Sequence, residues 1–392
     1  MAPIPRLRAY SGPALLSYGF RPFFLFGGCY AALTIIIWLP LFYGEFVLPT
    51  TFSPRDWHVH EMLYGYIPAV VTGFLLTSIP NWTGRLPLQG GPLLILVIAW
   101  AAGRVAVTLS AEVGWVVAAL IDLTFLLLVV AATAREILAG RNWRNLKVLM
   151  PVTILGLGNA GFHVEAHLRG AADYGVRVGV AAVLVLIMVM GGRLIPSFTR
   201  NWLVRENPGR VPVPFGIFDV IAIGLSAGAL ALWIIAPEGW ATAVGLFAAG
   251  ALQAVRVARW AGERTLRDRL VLVLHVAYAF VPIGFGLAAL SAIGLAVPSA
   301  GLHAWMVGAA GMMTLAVMTR ATLGHTGREL NASTATQFIY ALVFTAAVAR
   351  ICAALEPRWS EPALYVAALA WVAAFLGFSF VYAPMLWRVR TT

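Results

Sequence analysis

The seven histidines of this chain all fall inside or at the edges of long hydrophobic segments. Imidazole nitrogens are suitable ligands for copper and for haem iron, so this placement points to a buried metal or haem. The charge bias described below places five of them near the same side of a membrane: His58, His60, His163, His167 and His303. The sequence therefore predicts one shared polyhistidine metal site with these five residues as candidate ligands.

The first group of candidates is His58, His60 and Glu61, at the start of the second hydrophobic segment. Side chains two residues apart point about 200° apart around a helix. His58 and His60 therefore bind one metal only if the helix start is irregular, and otherwise each faces a different neighbour. Glu61 is a candidate catalytic residue, because a carboxylate beside a ligating imidazole either orients the ring or relays a proton.

The second group lies on the fifth segment. His163 and His167 are four residues apart, so their side chains share one helical face with Cβ atoms about 6 Å apart. That spacing suits two ligands of one metal; the alternative is a pair of interfacial histidines bound to headgroups or water. Glu165 points elsewhere, where it caps a helix or reaches the interface, and it is the second candidate for proton handling in catalysis.

The remaining candidates are spread over later segments. His303 opens the tenth segment from the same side as the other four metal candidates. His275 lies inside the ninth segment, and three roles are open for it: a second haem ligand, part of a proton path, or a structural histidine. Arg193 and Arg320 lie where two segments leave the membrane. Guanidinium groups bind carboxylates in a bidentate manner, so these arginines are candidate clamps for haem propionates. The alternative for both is anchoring at the membrane surface.

The composition excludes a soluble protein, because 61% of the 392 residues are hydrophobic, 11% are charged and the mean hydropathy is +0.86. A bilayer core of about 30 Å needs about 20 apolar residues per helix. We therefore expect an all-α integral membrane protein, a single polytopic domain over residues 1–392 that forms one bundle. Its twelve predicted spans are 17–43, 56–80, 91–110, 112–138, 146–170, 173–200, 215–236, 237–261, 268–296, 300–322, 334–356 and 361–387.

Basic residues collect on alternate connections of this predicted bundle. Arg6 and Arg8 precede the first span, further arginines follow the fourth, sixth and eighth spans, and Arg388 and Arg390 end the chain. The positive-inside rule then makes both termini cytoplasmic and puts the five candidate histidines near the periplasm. The basic residues that give the net charge of +11 set the orientation of the chain in the membrane and attract anionic lipid headgroups. The charge therefore does not imply a nucleic-acid partner.

Two further features limit the chemistry. Arg104 and Asp122 lie within predicted spans, where an isolated charge is costly, so we expect them to pair across neighbouring helices. Cys29 and Cys352 stand alone and outside any CxxCH pattern. A haem in this protein is therefore expected to be non-covalent and of the b type.

Several longer motifs resemble the NnrS family. They are the run Ser17–Phe24, the HxHEM segment at 58–62, the run Thr72–Gly84, and two motifs at 192–202 and 318–328. That family comprises bacterial multi-pass inner-membrane proteins associated with haem, copper and tolerance of nitric oxide. The resemblance implies a haem-bearing and copper-bearing protein of nitrosative stress, alongside denitrification, with nitric oxide as its ligand or substrate. It leaves open whether the protein is a nitric-oxide-metabolising oxidoreductase and what donates electrons.

The predicted placement also resembles the catalytic subunit of haem-copper oxidases, with twelve spans, cytoplasmic termini and histidines at the outer ends of the second and tenth helices. It departs from that subunit because the additional histidine pair is on the fifth helix. Our hypothesis is that His58 or His60 ligates haem together with His303, while His163 and His167 hold copper or a second haem. The competing hypothesis is a secondary transporter or metal permease, which the lack of an evident internal repeat weakens.

Overall fold

The computed structural model of the protein describes residues 10–388, apart from the side chain of Arg144. Arg6, Arg8 and Arg390, which support the predicted orientation, lie outside the described residues. The described chain is helical, without a strand, and its long helices are joined by short connections. An all-α architecture is therefore confirmed.

Twelve long helices occupy the twelve predicted spans, with ends that differ from the predicted ones by at most six residues. In the second helix, for example, the ends at Pro54 and Thr83 are set by the N-cap Ser53 and the C-cap Gly84. The helices are α1 (Phe20–Phe42), α2 (Pro54–Thr83), α3 (Gly91–Thr108), α4 (Trp115–Ala139), α5 (Leu146–Arg169), α6 (Asp173–Glu206), α7 (Ile217–Ile235), α8 (Trp240–Ala258), α9 (Arg269–Ala292), α10 (Pro298–His325), α11 (Thr334–Leu355) and α12 (Ser360–Trp387).

Eleven of these helices in the described chain are long and apolar enough to cross a membrane, which supports a multi-span membrane protein. Helix α5 has 24 residues but is not one of the eleven. It differs from the others in the polar residues of its second half, which include Asn159, His163, Glu165 and His167. The long helix outside the eleven is thus the one that carries a predicted pair of metal ligands.

The helix contacts divide the chain into two compact units. Unit 1 extends to Gly179 and includes Val317–Glu329 and the chain from Phe375 onward, whereas unit 2 consists of Val180–Ala316 and Leu330–Ala374. The single polytopic domain stays a prediction. Of the candidate ligands, the histidines up to position 167 belong to unit 1, and His275 and His303 belong to unit 2.

Helix α2 shows how local sequence shapes the site. The Ser53 side chain accepts a hydrogen bond from the backbone N–H of Asp56 (3.1 Å), Pro54 occupies the first turn, and Gly84 ends the helix at a φ of +69°. These are the usual N-terminal and C-terminal signals of a helix. Between them, residues Glu61–Tyr66 form a π-helical segment that begins directly after His60. Such segments widen one turn and are frequent at functional sites.

Candidate functional site

A buried polar cluster in unit 1 joins helices α2, α4 and α5 through His60, Asp122 and His163. One ligand atom from each lies within 4.8 Å of those of the other two, and the side chains are at most 3% exposed. In the described part of the chain, these form the one set of three or more His, Cys, Asp or Glu side chains with metal-ligand spacing. Two of the five predicted histidine ligands are therefore brought together.

Asp122 is the centre of the cluster. Its Oδ2 accepts a hydrogen bond from Asn159 Nδ2 (2.7 Å) and lies 3.0 Å from His163 Nε2 and 3.2 Å from His60 Nε2. Its Oδ1 pairs with the guanidinium group of Arg104, which confirms the ion pair predicted from the sequence. One carboxylate therefore contacts groups from three other helices.

Both ring nitrogens of His60 face oxygen acceptors. Nδ1 lies 2.9 Å from Glu61 Oε1, and Nε2 lies 3.0 Å from Asn159 Oδ1. The Asn159 amide orientation is fixed because its Nδ2 donates to Asp122. A neutral imidazole carries a single N–H, so it satisfies one of these two acceptor contacts and leaves the other nitrogen without a proton to donate. The arrangement calls for an additional cation at His60, either a second proton or a metal ion.

Glu61 and Arg104 form the outer half of the same cluster. Arg104 Nη1 donates to Glu61 Oε2 (2.8 Å), and the Tyr30 hydroxyl donates to the same oxygen. The Tyr30 ring packs edge-on against Trp100 at 5.4 Å, and Trp100 Nε1 donates to the Gly65 carbonyl (2.9 Å). Glu61 is therefore held from several sides in a fixed position behind the His60 ring.

The charges of this cluster do not cancel. Glu61 and Asp122 each contribute a negative charge and Arg104 contributes one positive charge, while neutral histidines contribute none. The sum of −1 is buried inside a bundle of membrane-spanning helices, where an uncompensated charge costs at least about 2.5 kcal/mol. The charge balance thus requires one more positive charge, in agreement with the hydrogen-bond pattern of His60.

Two glycines make room for the side chains of Arg104 and Asp122. A Cβ atom at Gly65 would lie 2.5 Å from Arg104 Nη1, and a Cβ at Gly103 would lie 2.9 Å from Asp122 Oδ1 and 3.1 Å from the Asp122 Cα. Real Cβ atoms do not approach that closely. Glycine at these positions lets α2 and α4 pack against α3 with the Arg104 side chain between them.

Aromatic rings enclose the two imidazoles. Phe52, in the connection before α2, packs 5.3 Å from the His60 ring and 5.4 Å from the His163 ring, and Phe162 packs 5.2 Å from His60. Both phenylalanines are buried. The cluster therefore lies in apolar surroundings, where its electrostatic interactions are stronger than in water.

The cluster lies at one end of unit 1. His60 and Asp122 lie within the first turns of α2 and α4, and Arg104 and His163 lie within the last turns of α3 and α5. Because successive helices alternate in direction, these positions share one depth. This agrees with the predicted placement of His60 and His163 on the same side of the membrane; that this side is the periplasm stays a prediction.

The other two histidines of unit 1 that were predicted as metal ligands lie against different neighbours. The His58 ring stacks on Trp38 at 4.2 Å, and the exposed His167 ring stacks on Trp115 at 4.2 Å. His58 diverges from His60 because residues 54–60 form a regular α-helix and the irregular π segment begins only after His60. The structure therefore separates both predicted pairs, and neither His58 nor His167 joins the cluster.

Glu165, the second predicted catalytic carboxylate, caps the next helix. Its oxygens accept hydrogen bonds from the backbone N–H groups of Tyr174 (3.1 Å) and Gly175 (2.9 Å), in the first turn of α6. A carboxylate at this position satisfies otherwise unpaired N–H groups and interacts favourably with the helix dipole. The structure thus gives Glu165 the capping role that the sequence left open.

The remaining candidates are placed as follows. His303 Nδ1 lies 2.6 Å from the Ser299 carbonyl, and His275 Nε2 lies 2.8 Å from the Thr199 hydroxyl. Arg193 is exposed on the part of α6 that belongs to unit 2, whereas Arg320 is half-buried on the part of α10 that belongs to unit 1. Their role as propionate clamps stays a prediction.

The sequence interpretation missed several residues of the cluster. Asp122 was expected to pair with Arg104, but its position between two histidines was not expected. Tyr30 and Trp100 were not considered. A signal existed for Tyr30, because it follows Gly27, Gly28 and Cys29 in an apolar helix and its hydroxyl needs a partner there.

Comparison with known proteins gives one finding on the family. A family model described as NnrS protein matches residues 14–390, which is nearly the whole chain. The search among curated proteins found no match. The match covers all twelve long helices and every residue of the buried cluster.

Proposed function

This chain belongs to the NnrS family, and on that premise we propose that it acts in nitric oxide tolerance as a metal-binding protein of the bacterial inner membrane. The family association and the membrane-spanning helices support a membrane protein of the nitric oxide response. The resident metals of this proposal are a copper ion and a non-covalent haem. The observation that carries it is the buried cluster of His60, Asp122 and His163.

The donor set fits a copper ion. Imidazole nitrogens suit copper, and an adjacent carboxylate supplies negative charge. Two ligands about 2.0–2.1 Å from a metal at a tetrahedral angle are separated by about 3.3 Å. The Asp122 Oδ2 atom lies 3.0 Å from His163 Nε2 and 3.2 Å from His60 Nε2. Both separations that involve Asp122 are therefore within a few tenths of an ångström of the value for two ligands of one ion.

The surrounding residues support a resident ion. Glu61 accepts a hydrogen bond from His60 Nδ1, which leaves Nε2 as the ligating nitrogen, and Arg104 holds both Glu61 and Asp122. Carboxylates that fix a ligating imidazole in this way are a regular feature of metal sites and raise the basicity of the ligand. One positive charge from a cuprous ion also balances the charge of −1 that the cluster carries with neutral histidines.

Haem is the second part of the proposal. A haem iron with an open axial position binds nitric oxide, and copper is a redox-active partner. The axial ligand candidates in this chain are His58, His303 and His275, with Arg193 and Arg320 as candidate propionate partners. Tyr30 and Glu61 are the groups of the cluster that exchange or hold a proton, because a hydrogen bond joins the Tyr30 hydroxyl to the Glu61 carboxylate.

The test is an optical spectrum with iron and copper analysis of the detergent-purified protein, before and after reduction and addition of nitric oxide. We expect copper near one ion per chain, and a Soret band that shifts on reduction and again with nitric oxide. Replacing Glu61 with glutamine should lower the affinity for copper by about 10–100-fold, while the protein still folds. A colourless, metal-free protein from cells with ample haem and copper would overturn the proposal in favour of a transporter.

A further inference from the structure

A groove in unit 2 lies between helices α9 and α11. Its volume is about 350 Å³, within the range of pockets that bind small ligands, roughly 300–1,000 Å³. Both helices pack against α10, and the buried Met312 of that helix lines the groove from the inside. The groove is therefore a site between helices that has room for part of an extended molecule.

Helix α9 contributes one face of its first turns to this groove. The lining side chains recur at i, i+3, i+4 and i+7, the spacing of residues that share one side of a helix. They are Arg269, Leu272, Val273 and Val276. Arg269 is the first residue of the helix and is exposed, whereas the three others are apolar and buried or half-buried. This wall therefore has a charged end and an apolar remainder, over about 10 Å of the helix axis.

Helix α11 contributes a second wall with the same spacing. Its lining residues are Gln337, Tyr340, Ala341 and Phe344. Helices α9 and α11 run in the same direction because one helix separates them in the chain, so Arg269 and Gln337 lie at the same end of the groove. Ala341 is exposed and Phe344 is 43% exposed. The groove thus opens on the surface of two helices that are apolar enough to cross a membrane.

The polar end of the groove offers a cation. Within the part of the chain that the structure describes, the Arg269 guanidinium group has no ion pair and no hydrogen bond. The adjacent acid is not its partner, because Asp268 Oδ1 accepts hydrogen bonds from the N–H groups of Leu270 (2.9 Å) and Val271 (3.2 Å) and thereby caps α9. A guanidinium group binds phosphate oxygens through its fork of N–H donors, so this end of the groove suits a phosphate.

Charge and shape together select the occupant. A free phosphate ion would leave the apolar walls unoccupied, and a neutral quinone would fill the walls but leave Arg269 without a counter-ion. An anionic phospholipid satisfies both parts of the groove. Arg269 also follows the eighth predicted span, on the side that the basic residues predict to be cytoplasmic, where the leaflet carries anionic lipids.

We propose that this groove binds one anionic phospholipid, with the phosphate at Arg269 and one acyl chain between α9 and α11. A chain in this position bridges two helices that both contact α10, so the lipid stabilises unit 2. The site is independent of the proposed copper and haem, because none of its lining residues is a candidate for either cofactor.

Native mass spectrometry of the full-length protein, purified in detergent and stripped of lipid, tests this site with phosphatidylglycerol as the probe. Phosphatidylcholine with the same acyl chains is the control for the charge of the headgroup, and inorganic phosphate is the control for the phosphate alone. We expect the protein to retain one phosphatidylglycerol per chain at concentrations at which it retains no phosphatidylcholine. The unfolding temperature should rise with phosphatidylglycerol and stay constant with inorganic phosphate.

Two matched pairs of variants locate the site. Arg269→Gln should weaken phosphatidylglycerol binding about fivefold. Arg200→Gln, at an exposed arginine of unit 2 that does not line the groove, should change it less than about twofold. Ala341→Phe should abolish retention because its ring fills the groove. Ala335→Phe, at an exposed position about 120° around the same helix, should keep it.

Loss of binding in the two groove variants alone would support the site. All four replaced residues are exposed, so we expect the variants to fold, and if one groove variant fails to fold the other decides. Four results would each overturn the proposal: equal retention of phosphatidylcholine, displacement of the lipid by an equal concentration of quinone, unchanged binding in Ala341→Phe, or equal losses in the control variants.

Discussion

Replacing Asp122 with asparagine tests the two proposed roles of this residue, as a copper ligand and as the negative charge that the additional cation balances. Asparagine keeps the shape of the side chain and removes its negative charge. Glu61 then balances Arg104, so the cluster is neutral with neutral histidines and no longer needs an additional cation. We expect the protein to lose its copper, because the bound ion would become the uncompensated buried charge.

The expected magnitude follows from the contacts of Asp122. Removing one partner of a buried ion pair costs about 3–5 kcal/mol. The lower end applies here because Arg104 keeps its bond to Glu61 at 2.8 Å. We expect a loss of the same size, about 3 kcal/mol, for the pair that Asp122 would form with the bound ion, which corresponds to about a 100-fold rise in the Kd for copper, since each 1.4 kcal/mol is a factor of ten.

Competition with a coloured Cu(I) chelator measures this Kd on purified protein, and elemental analysis measures the copper retained from cells. Asp219→Asn is the matched control. Asp219 is also buried and pairs with a buried arginine, Arg256, at 2.8 Å, but it lies in unit 2 and outside the histidine cluster. Both variants should lose thermal stability, whereas only Asp122→Asn should lose copper affinity. Wild-type copper affinity in Asp122→Asn, or equal losses in both variants, would refute the charge argument.

Four other predictions follow from the same contacts. His163→Ala should lose copper and His167→Ala should keep it, as elemental analysis will show; loss of copper in both variants would restore the ligand pair predicted from the sequence, and the reverse pattern would contradict the cluster. Gly103→Ala should destabilise the fold by about 1–3 kcal/mol in a thermal or denaturant assay, because its Cβ meets Asp122, whereas Gly161→Ala, with open space around its Cβ, should be near neutral. Glu165→Gln should weaken the cap of α6 by about 0.5–2 kcal/mol and leave copper content unchanged; a loss of copper would assign it to the site. Proteoliposomes containing the protein should take up no copper above the lipid background, and saturable uptake that His60→Ala abolishes would favour a permease.

Hydrophobicity predicted the helices well, because long apolar runs in a bilayer leave few alternatives to a helix. The depth of a residue in the membrane was also predictable, because it follows from the position of the residue along its helix. The expectation that His60 and His163 share one side of the membrane is consistent with their contact through Asp122. The Arg104–Asp122 pair was predictable because buried charges need partners.

Direction around the helix axis was not predictable in the same way. His163 and His167 share a helical face by spacing, yet one contacts Asp122 and the other stacks on Trp115, because α5 leaves the bundle interior toward its end. The π segments after His60 and His303 have no sequence pattern of their own. Their detection required the backbone.

The polar character of α5 has a consequence for how the protein is made. Among the long helices of the described chain, α5 is the one outside the eleven that are apolar enough to cross a membrane, and its polar residues Asn159 and His163 bond to Asp122 of α4. That partner precedes α5 in the chain, so it is already in place when α5 emerges from the ribosome. We expect the insertion of α5 to depend on the earlier helices, which couples completion of the site to biogenesis.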